Sequence, residues 1–146
     1  MAVIESLENL REYIMEKFQA NEDVKSVYDN EALYVWNNMD CGYPSVCFNL
    51  VGVTVNEETT TYTYQFYAGA LQHESIEPTT NTNYNLLYNI LESTFQTMES
   101  DIAENSENLI VGIGRPRNYE FAPIKTNELL AVASVQVGID VLNAEC

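Results

Sequence analysis

From Thr59 to Leu71 the chain alternates without a break, with Tyr62, Tyr64, Phe66, Ala68 and Ala70 on one phase and Thr61, Thr63, Gln65 and Tyr67 on the other. A period of two excludes a helix, whose side chains return to one face every three or four residues. It predicts a long β-strand with two distinct faces. The preceding segment, Ser45 to Asn56, alternates through Val46, Phe48 and Leu50 and then slips to Val51, Val53 and Val55. Such a slip turns every later side chain to the opposite face, so a β-bulge or bend is predicted near Leu50 to Gly52. Glu57-Glu58 joins the two strands as a hairpin tip.

Two helical stripes flank this hairpin. Leu7, Leu10, Ile14 and Phe18 recur at helical spacing among Glu5, Glu8, Glu12 and Glu16, with Arg11 and Lys17 as partial compensation; Asn21-Glu22-Asp23 ends the helix. Tyr84, Leu87, Tyr88, Leu91, Phe95, Met98 and Ile102 form a longer stripe through about five turns, closed by Asn105-Ser106-Glu107-Asn108. Val24 to Tyr28 reads as a short extended piece. Glu31 to Asn37 (EALYVWN) reads as a strand with Leu33 and Val35 against Tyr34 and Trp36, and Trp36 is either core or an interface anchor. Asn37 to Pro44 and the polar Gln72 to Asn83 read as loops. Leu109 to Gly114 is a short strand, and Arg115 to Asn118 breaks it. Tyr119 to Lys125 is an irregular connection containing Pro123, and Leu129 to Val141 is a final strand. The whole, residues 1–146, is expected to be one α+β domain. Its antiparallel β-sheet, built on the long hairpin, has an N-terminal helix and a long central helix packed on one face.

Charge is distributed just as unevenly. The 146-residue chain has a formal net charge of -16, and between Ser26 and Gly114 it has no Lys or Arg but twelve Asp and Glu. Half of its six basic residues (Arg115, Arg117, Lys125) follow immediately. This disfavours a grip on nucleic acid, which needs dense Lys and Arg to displace counterions from phosphates. It suits a wall that nucleic acid passes without sticking, or a subunit that sets a basic segment against a neighbour's acidic face. No apolar run approaches the roughly 18 residues of a membrane span. The first residues lack a signal-peptide pattern, so the expectation is a soluble protein kept on the cytoplasmic side, with no membrane partner.

No reacting cluster stands out. Of three cysteines, Cys41 and Cys47 have a spacing that would close a small loop, but the odd count without an export signal favours reduced thiols. Cys41, Cys47, His73 and Cys146 lack the paired spacing of a structural zinc site, and His73 sits in a polar loop. Gly112-Ile113-Gly114-Arg115-Pro116 ends a strand in a turn instead of opening a helix over a phosphate. Pairs such as Asp40 with Glu31, or Glu74 with Glu77, reflect the abundance of acids. We therefore expect no catalytic residue, cofactor or metal. The ten tyrosines are unusual. Tyr62 and Tyr64, alternating with Thr, mark either an interface or the core under the helices.

The N-terminal helix, the entry Tyr43-Pro44-Ser45-Val46-Cys47-Phe48 into a long hairpin and the return Tyr64-Gln65-Phe66-Tyr67-Ala68-Gly69 carry a resemblance. So do the long helix and the Pro-interrupted aromatic segment Arg115 to Pro123 before an Ala/Val-rich last strand. In this pattern, over nearly its whole length, the chain resembles the bacteriophage tail-terminator and neck proteins, the minor tail protein U-like group. Its Tyr-, Asn- and Glu-rich texture is similar to that of virion proteins from phages of gut Bacteroidetes. The resemblance implies a non-enzymatic virion protein, assembled in the host cytoplasm, forming a six-fold or twelve-fold homo-oligomeric ring in the neck or tail connector. Adjacent neck, portal or tail rings would be its partners, and genomic DNA would pass through a carboxylate-lined lumen without specific binding. A ring needs two unlike patches per subunit. Arg115, Arg117 and Lys125 are candidates for one, and Glu99, Asp101 and Glu104, or Glu57 and Glu58, for the other. On this expectation Arg117→Glu leaves the monomer folded and abolishes the ring. The alternative is an acidic binding module, an inhibitor or nucleic-acid mimic that needs no self-association.

Overall fold

In the computed structural model, residues 7–72, 77–104, 110–126 and 128–143 are described. Helix α1 (Leu7–Gln19) is followed by strand β1 (Ser26–Tyr28), helix α2 (Ala32–Asn38) and the hairpin of β2 (Ser45–Val55) and β3 (Thr59–Leu71). Helix α3 (Glu77–Glu104) leads to β4 (Ile110–Ile113), β5 (Glu120–Lys125) and β6 (Leu129–Leu142). The strands lie in the order β1-β2-β3-β6-β4, and β5 also pairs with β6. The fold is α+β with an N-terminal helix and a long helix, as the periodicities require.

The hairpin forms as its alternation dictates. β3 pairs with β2 along one edge and β6 along the other, from Thr59 opposite Leu142 to Leu71 opposite Leu130. The register shift falls between Leu50 and Gly52, where the apolar phase slips. α1 and α3 cover one sheet face. Leu10, Ile14 and Phe18 from α1, with Leu87, Ile90, Leu91, Phe95 and Met98 from α3, are buried on Val46, Phe48, Tyr64 and Phe66. Phe66 is the hub, with ring centres 5.0 Å from Phe95, 5.6 Å from Phe18 and 5.9 Å from Phe48. Tyr64 belongs to this core and Tyr62 packs partly buried against it, which decides for these two rings between core and interface.

Four expectations are corrected. Glu31 to Asn37 is not a strand: Ala32 to Asn38 is helix α2. Its buried residues are Ala32, Val35 and Trp36, at helical spacing, whereas Leu33 and Tyr34 are exposed. The sheet is not wholly antiparallel, since β1 runs parallel to β2. These two corrections share one cause. A parallel pair needs a crossover connection, and α2 is that crossover. It therefore packs on the face opposite α1 and α3, so the helices do not all share one face. There Trp36 meets Cys47, Leu130 and Val132 in a second core, and its indole nitrogen donates to Ser45 Oγ at 3.1 Å. Gly69 lies directly beneath: a Cβ on it would come within 2.9 Å of the indole.

Residues 120–125 are strand β5 instead of an irregular connection. Among the described residues β5 pairs only with β6, and an edge strand is where a proline such as Pro123 is tolerated. The polar stretch 72–83 is a loop only in part, because α3 begins at Glu77. A first helical turn needs no apolar stripe, and Pro78 costs little there because its missing N–H has no intrahelical partner. His73, Cys146 and the predicted stop at Asn105 to Asn108 lie outside the described residues.

Candidate functional site

The segment from Gly114 to Tyr119 crosses α3, and one buried cation fastens it there. Glu92 and Glu99, two turns apart, share a face of α3. Arg117 reaches both. Its Nε and Nη2 donate to the two carboxylate oxygens of Glu92 at 2.9 and 2.6 Å, and Nη1 donates to Glu99 Oε2 and to the Gly114 carbonyl, each at 3.1 Å. The guanidinium carbon lies 5.4 Å from the centre of the Phe95 ring, and the side chain is 3% exposed. Arg115 forms a second fork, donating to both oxygens of Glu99 at 2.9 Å, but its side chain is 60% exposed. The Tyr119 hydroxyl donates to Glu92 at 2.6 Å, and its ring meets Tyr88 edge-on at 4.9 Å.

The electrostatics follow from these bonds. The hydrogen bonds from Arg117 hold the Glu92 carboxyl at about 2, against its ordinary 4.5, despite the opposing effect of burial. Glu99 is lowered mainly by Arg115. Burial, and then the bond to Glu92, push the Tyr119 phenol up. Each shift reinforces the charge state the group already has at neutral pH. The cluster is therefore an ion-pair clasp and not a proton-transfer site.

A pH dependence follows. Glu92 is depressed in the folded state, so its contribution is complete above about 4.5 and is lost as pH falls towards about 2. Acid also relieves the self-repulsion of a -16 chain, with the opposite sign. The difference between wild type and Glu92→Gln isolates the first effect. In urea melts we expect that difference to be largest near neutrality and to shrink steadily below about pH 4.5. A difference constant down to pH 2 would contradict the clasp.

The predicted interface residues thus separate into two groups. Arg115, Arg117 and Glu99 meet one another within the chain. Asp101 is also internal, paired with Lys17 and accepting from the Tyr13 hydroxyl at 3.0 Å, which ties α1 to α3. Arg117 is a correction: a guanidinium so buried and so fully bonded is not available to a neighbouring subunit. Glu104 is exposed at the end of α3, Glu57 and Glu58 at the hairpin tip, and Lys125 at the end of β5. Glu92, the strongest partner of Arg117, was not singled out by the sequence. The signal was its spacing of seven from Glu99, which places two acids on one helix face beside the apolar stripe.

On the second face, Cys41 and Cys47 are free thiols, Cys47 fully buried and pushed by burial up to about 12. A cavity of about 350 Å³ is lined by Cys41 together with Trp36, Asp40, Tyr43 and Glu128. No helix among the described residues is long and apolar enough to cross a membrane. No protein-family model matches this sequence, and none of the curated proteins compared with it is a match.

Proposed function

We propose that the chain is a non-enzymatic structural subunit of a phage virion, tail-terminator-like, forming a ring in the neck or tail connector with an acidic surface that lets DNA pass. The observation that supports this reading is the polarity of the sheet. The hairpin tip with Glu57 and Glu58 lies beside Leu142, at one end of β6. Lys125, opposite Leu129, is at the other end. Lys25 joins it, since Ser26 is level with Ser45, Gly69 and Val132. Glu57 and Glu58 are therefore separated from Lys25 and Lys125 by about 40 Å of strand at 3.4 Å per residue, and each lysine also has an exposed acid close to it in sequence, Asp23 beside Lys25 and Glu128 beside Lys125. Two unlike, complementary patches on one subunit are what a head-to-tail ring contact needs. The ring contact proposed here is therefore Lys25 and Lys125 against Glu57 and Glu58 of the next copy, replacing the one through Arg117.

The test is sedimentation of the purified chain and of charge-reversed variants. Lys25→Glu with Lys125→Glu should leave a folded monomer and weaken association by roughly tenfold or more per contact, a change of about 1.4 kcal/mol. Glu57→Lys with Glu58→Lys should fail alone but co-assemble with the first variant. A wild-type chain that stays monomeric and never travels with virus particles would sink the proposal.

The acidic binding module is the second reading. It is favoured by the pairing of Arg11, Lys17, Arg115 and Arg117 with the chain's own carboxylates, which leaves a large acidic excess over the rest of the surface.

A further inference from the structure

The two edges of the sheet are not protected alike. β5 carries Pro123 and Lys125, two devices that discourage a further strand from adding. On the other side, β1 covers β2 only at Ser45 to Cys47, and among the described residues no strand lies beside the rest of β2. Leu50 to Val55 (LVGVTV) has neither lysine nor proline, only the bulge at its start. Val51, Val53 and Val55 are 50%, 48% and 72% exposed.

Beside this edge, between the first turn of α2 and the second sheet face, lies a groove of about 350 Å³. Leu33, Val51, Tyr67 and Ile124 give it apolar walls, Glu31 stands at its rim, and Asn49 lines it from β2. The Asn49 side-chain oxygen is shielded from solvent and accepts no hydrogen bond within the described structure. A buried acceptor without a protein donor is uncommon in folded proteins, and a donor brought by a partner would satisfy it.

We propose that the open edge of β2 receives an extended segment of another protein in which apolar residues alternate with lysine or arginine. Its backbone continues the sheet along Leu50 to Val55. One basic side chain enters the groove, laying its alkyl stem on Leu33 and Val51, donating to Asn49 Oδ1 and facing the carboxylate of Glu31. Charge decides against a second copy as occupant. Among the described strands only β5 carries a basic residue, Lys125, and it also carries Pro123, so no strand of a second copy offers the alternating apolar and cationic side chains that suit this edge. The site does not depend on ring formation. A ring subunit would use it for a neighbouring component, and a free binding module for its target.

The probe is a labelled peptide of alternating lysine and valine, compared at about 0.15 M salt, where the screening length is about 8 Å, with an equally charged peptide of alternating lysine and glycine. The valine peptide should bind roughly tenfold more tightly or better, because only it forms a strand with an apolar face. Amide exchange of the wild-type protein should slow at Leu50 to Val55 on binding. Val53→Lys, at an exposed edge position, should abolish that preference without altering the fold, and Glu31→Lys should weaken binding further. Equal affinity for the two peptides would reduce the attraction to net charge and overturn the proposal. So would protection elsewhere, or protection of Leu50 to Val55 that rises with protein concentration when no peptide is present, since that would make a second copy the occupant.

Discussion

Replacing Arg117 by alanine should destabilise the monomer by about 3–5 kcal/mol, the usual cost of removing one partner from a buried ion pair. The guanidinium is 3% exposed and donates to Glu92, Glu99 and a backbone carbonyl. Without it, Glu92 keeps Tyr119 and Gln96 as its donors among the described residues, on a side chain only 13% exposed. The urea midpoint should fall while the slope stays constant, because no additional surface is exposed in the native state. Arg117→Lys should recover only part of the loss, since an ammonium cannot form the two-pronged bond to Glu92. Arg115→Ala is the control: that side chain is largely exposed, and a solvent-screened pair of this kind contributes little to stability. If Arg117→Ala and Arg115→Ala cost the same, the burial argument fails. Arg117→Glu would press a third carboxylate against two others, so it would destabilise the monomer as well as any assembly and is not a clean test of a ring.

The second large effect is expected at Trp36. Trp36→Ala should cost about 3–5 kcal/mol, as buried aromatic truncations do. It empties the centre of the second core and leaves Ser45 Oγ without its donor. Leu33→Ala should cost less than about 0.5 kcal/mol, because that side chain faces outward on α2. The pair of variants separates helix from strand at residues 32–38. In a strand, Leu33 and Val35 would share a face, so a large loss at Leu33 would contradict the helix. Both variants are to be compared by equilibrium denaturation, with circular dichroism to confirm that the fold is retained.

Much of the architecture was readable because it rests on runs long enough to establish a period. β2, β3, β6, α1 and most of α3 each contribute a periodic row of apolar residues to the main core. The bulge at Leu50 to Gly52 was visible as a slip in that pattern. Short elements were not readable. In Glu31 to Asn37, alternation and helical spacing describe the same few apolar residues equally well, and only the crossover to a parallel strand decides for the helix. Tyr119 to Lys125 contains a proline, which argues against a strand in the middle of a sheet but not at its edge. Where a strand sits in a sheet is a property of the whole chain.

The candidate site shows the same division. The sequence by itself determined the acidic excess, the cluster of cations at Arg115 and Arg117, and the two-faced hairpin. These depend on which residues are present and on the stereochemistry of adjacent ones. Tertiary structure alone decided that Arg117 meets Glu92, 25 residues away, and that Lys125 and the hairpin tip lie at opposite ends of one sheet. It also decided that, among the described residues, no strand pairs with β2 beyond Cys47 on that edge, beside an Asn49 oxygen that has no donor there. An ion pair or a free sheet edge depends on how distant segments pack, and no local period carries that information.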